Sequence, residues 1–119
     1  MHERDVKVFL KDIVTGIQKI QKYIGRKTYE EFVGNDLLID GVIRNLEVIG
    51  EAVKNISLNF RKRYPLIEWK KVAGLRDILI HEYSGIDYEI LWDIIKMKIP
   101  QLHKDVEIIF KDLNKLKKN

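Results

Sequence analysis

The sequence predicts an all-α fold, an up-and-down bundle of about five helices. Apolar residues recur at intervals of three, four and seven over most of the chain, and no stretch alternates apolar and polar residues convincingly. The connections between periodic segments are also short, which favours antiparallel neighbouring helices. The 119 residues suit one domain, 1–119, with a single hydrophobic core and no repeat, linker or low-complexity tract.

The first helix is expected from Asp5 to Ile24, with Val6, Phe9, Leu10, Ile13, Ile17, Ile20 and Ile24 on its inner stripe and Gly25 as its stop. Thr28 and Glu31 form a capping-box pattern opening a short helical turn, which Gly34-Asn35-Asp36 breaks. A second long helix is expected from about Asp36 to Ser57, striped by Ile39, Val42, Ile43, Leu46, Ile49, Val53 and Ile56. Its polar side carries Arg44, Glu47, Glu51 and Lys54. Gly41 and Gly50 inside it each cost about 1 kcal/mol relative to alanine, and close approach of another helix is the preferred explanation.

From Phe60 to Leu66 the chain reads as a basic loop, because Pro65 pushes Tyr64 out of helical geometry. A third helix is expected from Glu68 or Trp69 through Leu75, Ile78 and Leu79 to about Tyr83, where Ser84-Gly85 ends it. Asp87 caps a fourth, carrying Ile90, Leu91, Ile94 and Ile95. Pro100 ends that helix and starts a fifth, which runs through Val106, Ile109 and Leu113 to Leu116.

Charged residues make up 34% and hydrophobic residues 45%, the balance of a soluble globular protein. No apolar run approaches the ~20 residues that span a bilayer, and Met1-His2-Glu3-Arg4-Asp5 lacks the order of a signal peptide, so a cytoplasmic, membrane-free protein is expected. The absence of cysteine excludes disulfides, thiolate nucleophiles and cysteine-bound zinc. His2, His81 and His103 form no ligand pair at helical spacing, so neither a metal nor another cofactor is expected. The net charge of +4 suits an anionic partner, although surface solvation alone reaches that value. Lys111, Lys115, Lys117 and Lys118 complement the dipole of the last helix.

Chemistry concentrates in Gly74-Leu75-Arg76-Asp77-Ile78-Leu79-Ile80-His81-Glu82-Tyr83. On a continuous helix, Arg76, Asp77, His81 and Tyr83 fall on the arc opposite Leu75, Ile78 and Leu79. Asp77 and His81, four apart, would then touch and fix the imidazole tautomer, and Arg76 and Tyr83 would share a stripe. Such a set suits phosphoryl chemistry, with histidine moving protons and arginine neutralising charge on a pentavalent phosphorus. No metal is needed where the nucleophile is RNA's own 2′-hydroxyl. Composition and spacing alone favour plainer roles: an Asp77–His81 surface pair, and Arg76 paired with Glu47 or Glu51 across the bundle. One histidine also cannot readily serve as both base and acid, a shortage that a two-fold dimer removes.

Arg76, four intervening residues, His81, one residue and Tyr83 together resemble the R-x4-H-x-Y signature of HepT proteins, within the wider HEPN class. The resemblance extends in order through residues 43–52, 64–69 and 74–87. It implies a homodimeric, HEPN-like helical bundle whose two motifs meet in a cleft and cut RNA without metal. By this resemblance Arg76 and His81 are catalytic and Asp77 supports them. It further implies the toxin of a type VII-like toxin-antitoxin pair, whose nucleotidyltransferase antitoxin attaches AMP to Tyr83 and can form a larger hetero-oligomer with it. An AMP there would block RNA phosphate by bulk and charge.

Arg61, Lys62 and Arg63 are candidate RNA contacts, although a basic triplet beside a proline turn is usually a solvated loop. Trp69 and Trp92 lie among helical apolar positions, where packing is the usual role. Glu47 and Glu51 are either a carboxylate pair or partners of Arg44 and Lys54. Two competing functions remain: a catalytically silent nucleotide- or partner-binding module, and a dimerisation domain whose polar arc is interface electrostatics.

Overall fold

The computed structural model describes residues 3–81 and 85–117, and these are mostly helical. The first long helix, α1 (Glu3–Ile24), buries the predicted stripe, with Leu10, Ile13, Ile17 and Ile20 fully enclosed. It stops at Gly25, whose φ of 50° is the left-handed conformation that glycine adopts without a Cβ clash. Next, α2 (Tyr29–Val33) opens with the predicted capping box: Glu31 N–H donates to Thr28 Oγ1 and Thr28 N–H to Glu31 Oε1, both at 3.1 Å.

The second long helix, α3 (Asp36–Lys54), lies antiparallel to α1, with Gly16 of α1 against Ile49 and Gly41 against Tyr23. Gly16, which periodicity does not single out, has the tightest surroundings of the glycines: a Cβ there would stand 2.8 Å from Ile49 Cγ1. The one buried polar side chain among the described residues, Asn45, is satisfied by donating from Nδ2 to Gly41 O at 2.8 Å.

The structure departs from the sequence expectation at four places, each with a local cause. Helix α3 ends at Lys54 rather than near Ser57, because Ser57 caps a separate turn, α4 (Leu58–Arg61), where its hydroxyl accepts from Phe60 N–H at 3.2 Å. The expected basic loop therefore begins inside a helical turn.

The expected third helix is two short pieces, α5 (Trp69–Ala73) and α6 (Leu75–Leu79), broken at Gly74. It also stops four residues early. Ile80–His81 (β1) pairs antiparallel with Gly85–Ile86 (β2), Ile80 opposite Ile86 and His81 opposite Gly85. Gly85 at φ 79° turns the chain back, and a β-branched Ile80 suits the extended backbone. A two-residue ladder is too short to leave an alternating pattern in sequence.

The fourth and fifth helices are joined without a break. Helix α7 (Tyr88–Asp93), capped as expected by Asp87 Oδ1 accepting from Ile90 N–H at 3.1 Å, runs into a π turn at Ile94–Lys98 and then α8 (Ile99–Lys117). Ile99 N–H donates to Ile94 O, five residues back. Pro100, expected to separate two helices, instead follows this widened turn. In a regular helix its ring would meet the carbonyl four residues earlier, and the extra residue makes room for it. The inner side of α8, with Val106, Ile109 and Leu113, closes the core against α1.

Candidate active site

The polar segment is placed by a backbone contact. Gly50 of α3 lies under the end of α5, where a Cβ would stand 3.0 Å from Ala73 O and 3.3 Å from Val72 O. The helix-to-helix approach expected at Gly50 is thus real. After Gly74 the helix restarts, with Ile78 N–H donating to Gly74 O at 3.2 Å, and buried Leu75 fixes the orientation of α6. Arg76 and Asp77 then project into solvent.

Arg76 does not stand alone. Its Nε donates to Glu47 Oε1 at 2.9 Å, joining α6 to α3, with the side chains 58% and 36% exposed. Of the two partners anticipated, Glu47 is the one engaged. Glu47 also lines a shallow polar groove of about 360 Å³ along α1 and α3, with Asp12, Arg44, Glu51 and Asn55. The Asp77 side chain is exposed and makes no hydrogen bond or ion pair among the described residues.

The helical arc drawn through Arg76, Asp77, His81 and Tyr83 needs correction. Helix α6 ends at Leu79 and His81 is in β1, so helical four-residue spacing does not relate Asp77 to His81. The stripe joining Arg76 to Tyr83 likewise lacks a continuous helix. The His81 imidazole and the whole of Tyr83 lie outside the described residues.

The basic triplet divides into three different environments. Arg61 is committed to the backbone, with Nε donating to Ile56 O at 3.1 Å and Nη2 to Val53 O at 2.7 Å, so that its guanidinium ties α4 to the last turn of α3 and the residues just after it. The guanidinium of Arg63 lies 5.0 Å from the Phe60 ring centroid and 6.0 Å from that of Tyr64. Lys62 is exposed. Both tryptophans pack: Trp69 is buried and donates Nε1–H to Tyr64 O at 3.0 Å and Arg61 O at 3.2 Å, and Trp92 meets the Phe32 ring at 5.3 Å.

Sequence periodicity also misses Glu68, which precedes α5 and pairs with Lys71 at 2.7 Å and Lys98 at 3.7 Å, tying α5 to the π turn. The hydrogen bond and charge of Lys71 hold the Glu68 carboxyl below the usual carboxylate range, and Glu68 in turn raises the Lys71 ammonium. The other side of α6 lines an apolar groove of about 460 Å³, where Leu75 and Ile78 face Ile90 and Met97.

A protein-family model described as "Ribonuclease HepT-like" matches residues 13–109. Among curated proteins, "Putative RNase MJ1380" of Methanocaldococcus jannaschii is 45% identical over 109 residues, covering 92% of this chain and 100% of that one. "Putative RNase MJ0125" of the same organism is 47% identical over 113 residues, covering 95% and 97%. "Probable ribonuclease HepT" of Thermococcus cleftensis is 40% identical over 100 residues, covering 84% and 91%. No solved structure matches the chain.

Proposed function

Because this chain belongs to the HepT-like ribonuclease family, we propose that it is a metal-independent RNA endonuclease, the toxin of a toxin-antitoxin pair, with a composite site at the cleft of a homodimer. The names of the relatives as RNases support the activity. The observation that carries the assignment to residues is the retention of Arg76, His81 and Tyr83 at family spacing inside the matched region.

In this mechanism the His81 imidazole takes the proton of a ribose 2′-hydroxyl, and the 2′-oxygen attacks the adjacent phosphorus. The bond to the 5′-oxygen breaks, leaving a 2′,3′-cyclic phosphate, and the departing oxygen takes its proton from the second copy's imidazolium. Arg76 stabilises charge gathering on the non-bridging oxygens, a role suited to its planar fork. Asp77, exposed beside Arg76, supports the cationic groups through its charge rather than through a helical contact with His81. Lys62 and Arg63 add phosphate contacts outside the cleft. A nucleotidyltransferase antitoxin silences the enzyme by transferring AMP from ATP to Tyr83: the phenolic oxygen bonds to the α-phosphorus, pyrophosphate leaves and the phenolic proton is released, which adds bulk and negative charge where RNA must bind.

The test incubates the unmodified protein, Arg76→Ala and His81→Ala with a defined RNA in EDTA, with circular dichroism as the check on folding. Cleavage by the wild type alone, with cyclic-phosphate ends, is the expected result. No cleavage by unmodified wild type would leave the silent binding module in its place, and equal cleavage by all three would remove Arg76 and His81 from the catalytic role. Co-expression with the antitoxin should add one AMP to the intact mass, and Tyr83→Phe should abolish the addition.

A further inference from the structure

We propose that Glu47 is the positioning residue for Arg76, a role that rests on Arg76 being catalytic as described above. The carboxylate reaches from α3 and takes the guanidinium by Nε alone, at 2.9 Å. Of the five N–H donors of an arginine, the four on the two terminal amino groups are left without a hydrogen-bond partner among the described residues. One N–H from each terminal amino group lies along the far edge of the plane, and that edge takes a phosphate through two parallel hydrogen bonds. Glu47 and an incoming phosphate therefore engage different sides of one planar group, and binding RNA does not require the ion pair to break.

The distance that this arrangement needs is set by backbone. Glu47 and Gly50 are three apart and share a face of α3. Gly50 admits the Ala73 carbonyl to within 3.0 Å of where a Cβ would sit. Three residues beyond Ala73 the chain presents Arg76, so the 29 residues separating the partners are closed by a contact that side-chain motion cannot lengthen.

An ion pair this exposed contributes little to folding, because water screens both charges and two flexible side chains must be ordered to form it. Orientation is what it supplies. An unheld arginine samples several rotamers at the end of three methylenes, and misplacing a catalytic group by about 1 Å lowers a rate by as much as 10²-fold. Glutamine at position 47 keeps an oxygen that accepts from Nε. Aspartate, one methylene shorter, does not reach.

The experiment pairs two readouts on the full chain. In the absence of RNA, the Arg76 Nε–H signal in an arginine-labelled NMR spectrum should be sharp and slow to exchange in wild type and Glu47→Gln, and lost in Glu47→Ala. With a defined RNA in EDTA, Glu47→Ala and Glu47→Asp should lower kcat on the order of 10²-fold with KM nearly unchanged, whereas Glu47→Gln should keep most of the wild-type kcat. An Nε–H signal indifferent to Glu47→Ala overturns the positioning role whether or not the chain cuts RNA. Equal or faster cleavage by Glu47→Ala overturns it too, since it would make the pair neutral or inhibitory. A signal lost in Glu47→Ala while the unmodified wild type cuts no RNA upholds the Glu47 hold on Arg76 and overturns the ribonuclease assignment alone.

Discussion

Gly50 and Ala73 pack backbone against backbone: a methyl group added to α3 at position 50 would stand 3.0 Å from the Ala73 carbonyl oxygen, closer than an ordinary van der Waals contact. Alanine at position 50 would gain about 1 kcal/mol of helix propensity, yet the neighbour here is a main-chain oxygen that has no rotamer to change. Gly50→Ala is therefore expected to destabilise the fold by about 1–3 kcal/mol in denaturant unfolding and to reduce RNA cleavage as Arg76 moves away from Glu47. A more stable variant would show that α5 shifts without cost.

Arg76→Lys keeps the positive charge and removes the planar fork. A lysine ammonium cannot offer one edge to Glu47 and another to a phosphate. Cleavage should fall by roughly 10²-fold, with unfolding free energy within about 0.5 kcal/mol of wild type. Activity close to wild type would mean that charge alone is what position 76 supplies.

Tyr64 couples the loop after α4 to the last helix by donating its phenolic proton to Asp112 Oδ2 at 2.9 Å. Burial, then the hydrogen bond and charge of Asp112, raise the Tyr64 phenol above its ordinary value of 10.0. A raised acid pKa gives stability that is complete below the unfolded value and is lost as pH rises through the folded one. Unfolding profiles should therefore show a stability loss setting in above about pH 10 that Tyr64→Phe removes. At neutral pH the same substitution should cost about 1 kcal/mol.

Trp69→Phe tests the hinge between α4 and α5. Phenylalanine keeps an aromatic ring but removes the pyrrole part of the buried indole, and Tyr64 O and Arg61 O lose their shared donor. A cost of about 1–2 kcal/mol is expected, read by thermal or denaturant unfolding. An unchanged midpoint would show that water replaces the indole N–H.

The long amphipathic helices were legible because their stripes run for five turns or more, and the Thr28 and Asp87 caps because a short polar side chain at an N-terminus has a specific backbone job. The region from Trp69 to Ile86 is not legible in the same way, because Leu75, Ile78 and Leu79 fit a helix equally well whether it ends at residue 79 or 83. The signal to stop lies downstream, in Gly85 and a non-local pairing with Ile86. At the site, Arg76 as an exposed cation and Glu47 as a possible partner were readable from the stripe of each helix. The choice of Glu47 over Glu51 was not, because it depends on where α5 seats on Gly50. In sequence Arg61 is indistinguishable from its basic neighbours, and only its two backbone acceptors set it apart.

The π turn has a consequence for how the chain tolerates changes of length. A five-residue turn replaces a regular one by absorbing one extra residue, so the helix beyond it keeps the direction it would have had without the insertion. Deleting a single residue there, such as Met97, which is 65% exposed, would still leave Leu102, Val106, Ile109 and Leu113 facing inward. Pro100 sets the condition, since in the shortened helix its ring meets a carbonyl one turn back at a cost of about 3 kcal/mol. Deletion of Met97 should thus be damaging alone and largely repaired by Pro100→Ala, making the two positions a linked pair through which chains of this fold can differ in length without redrawing their cores.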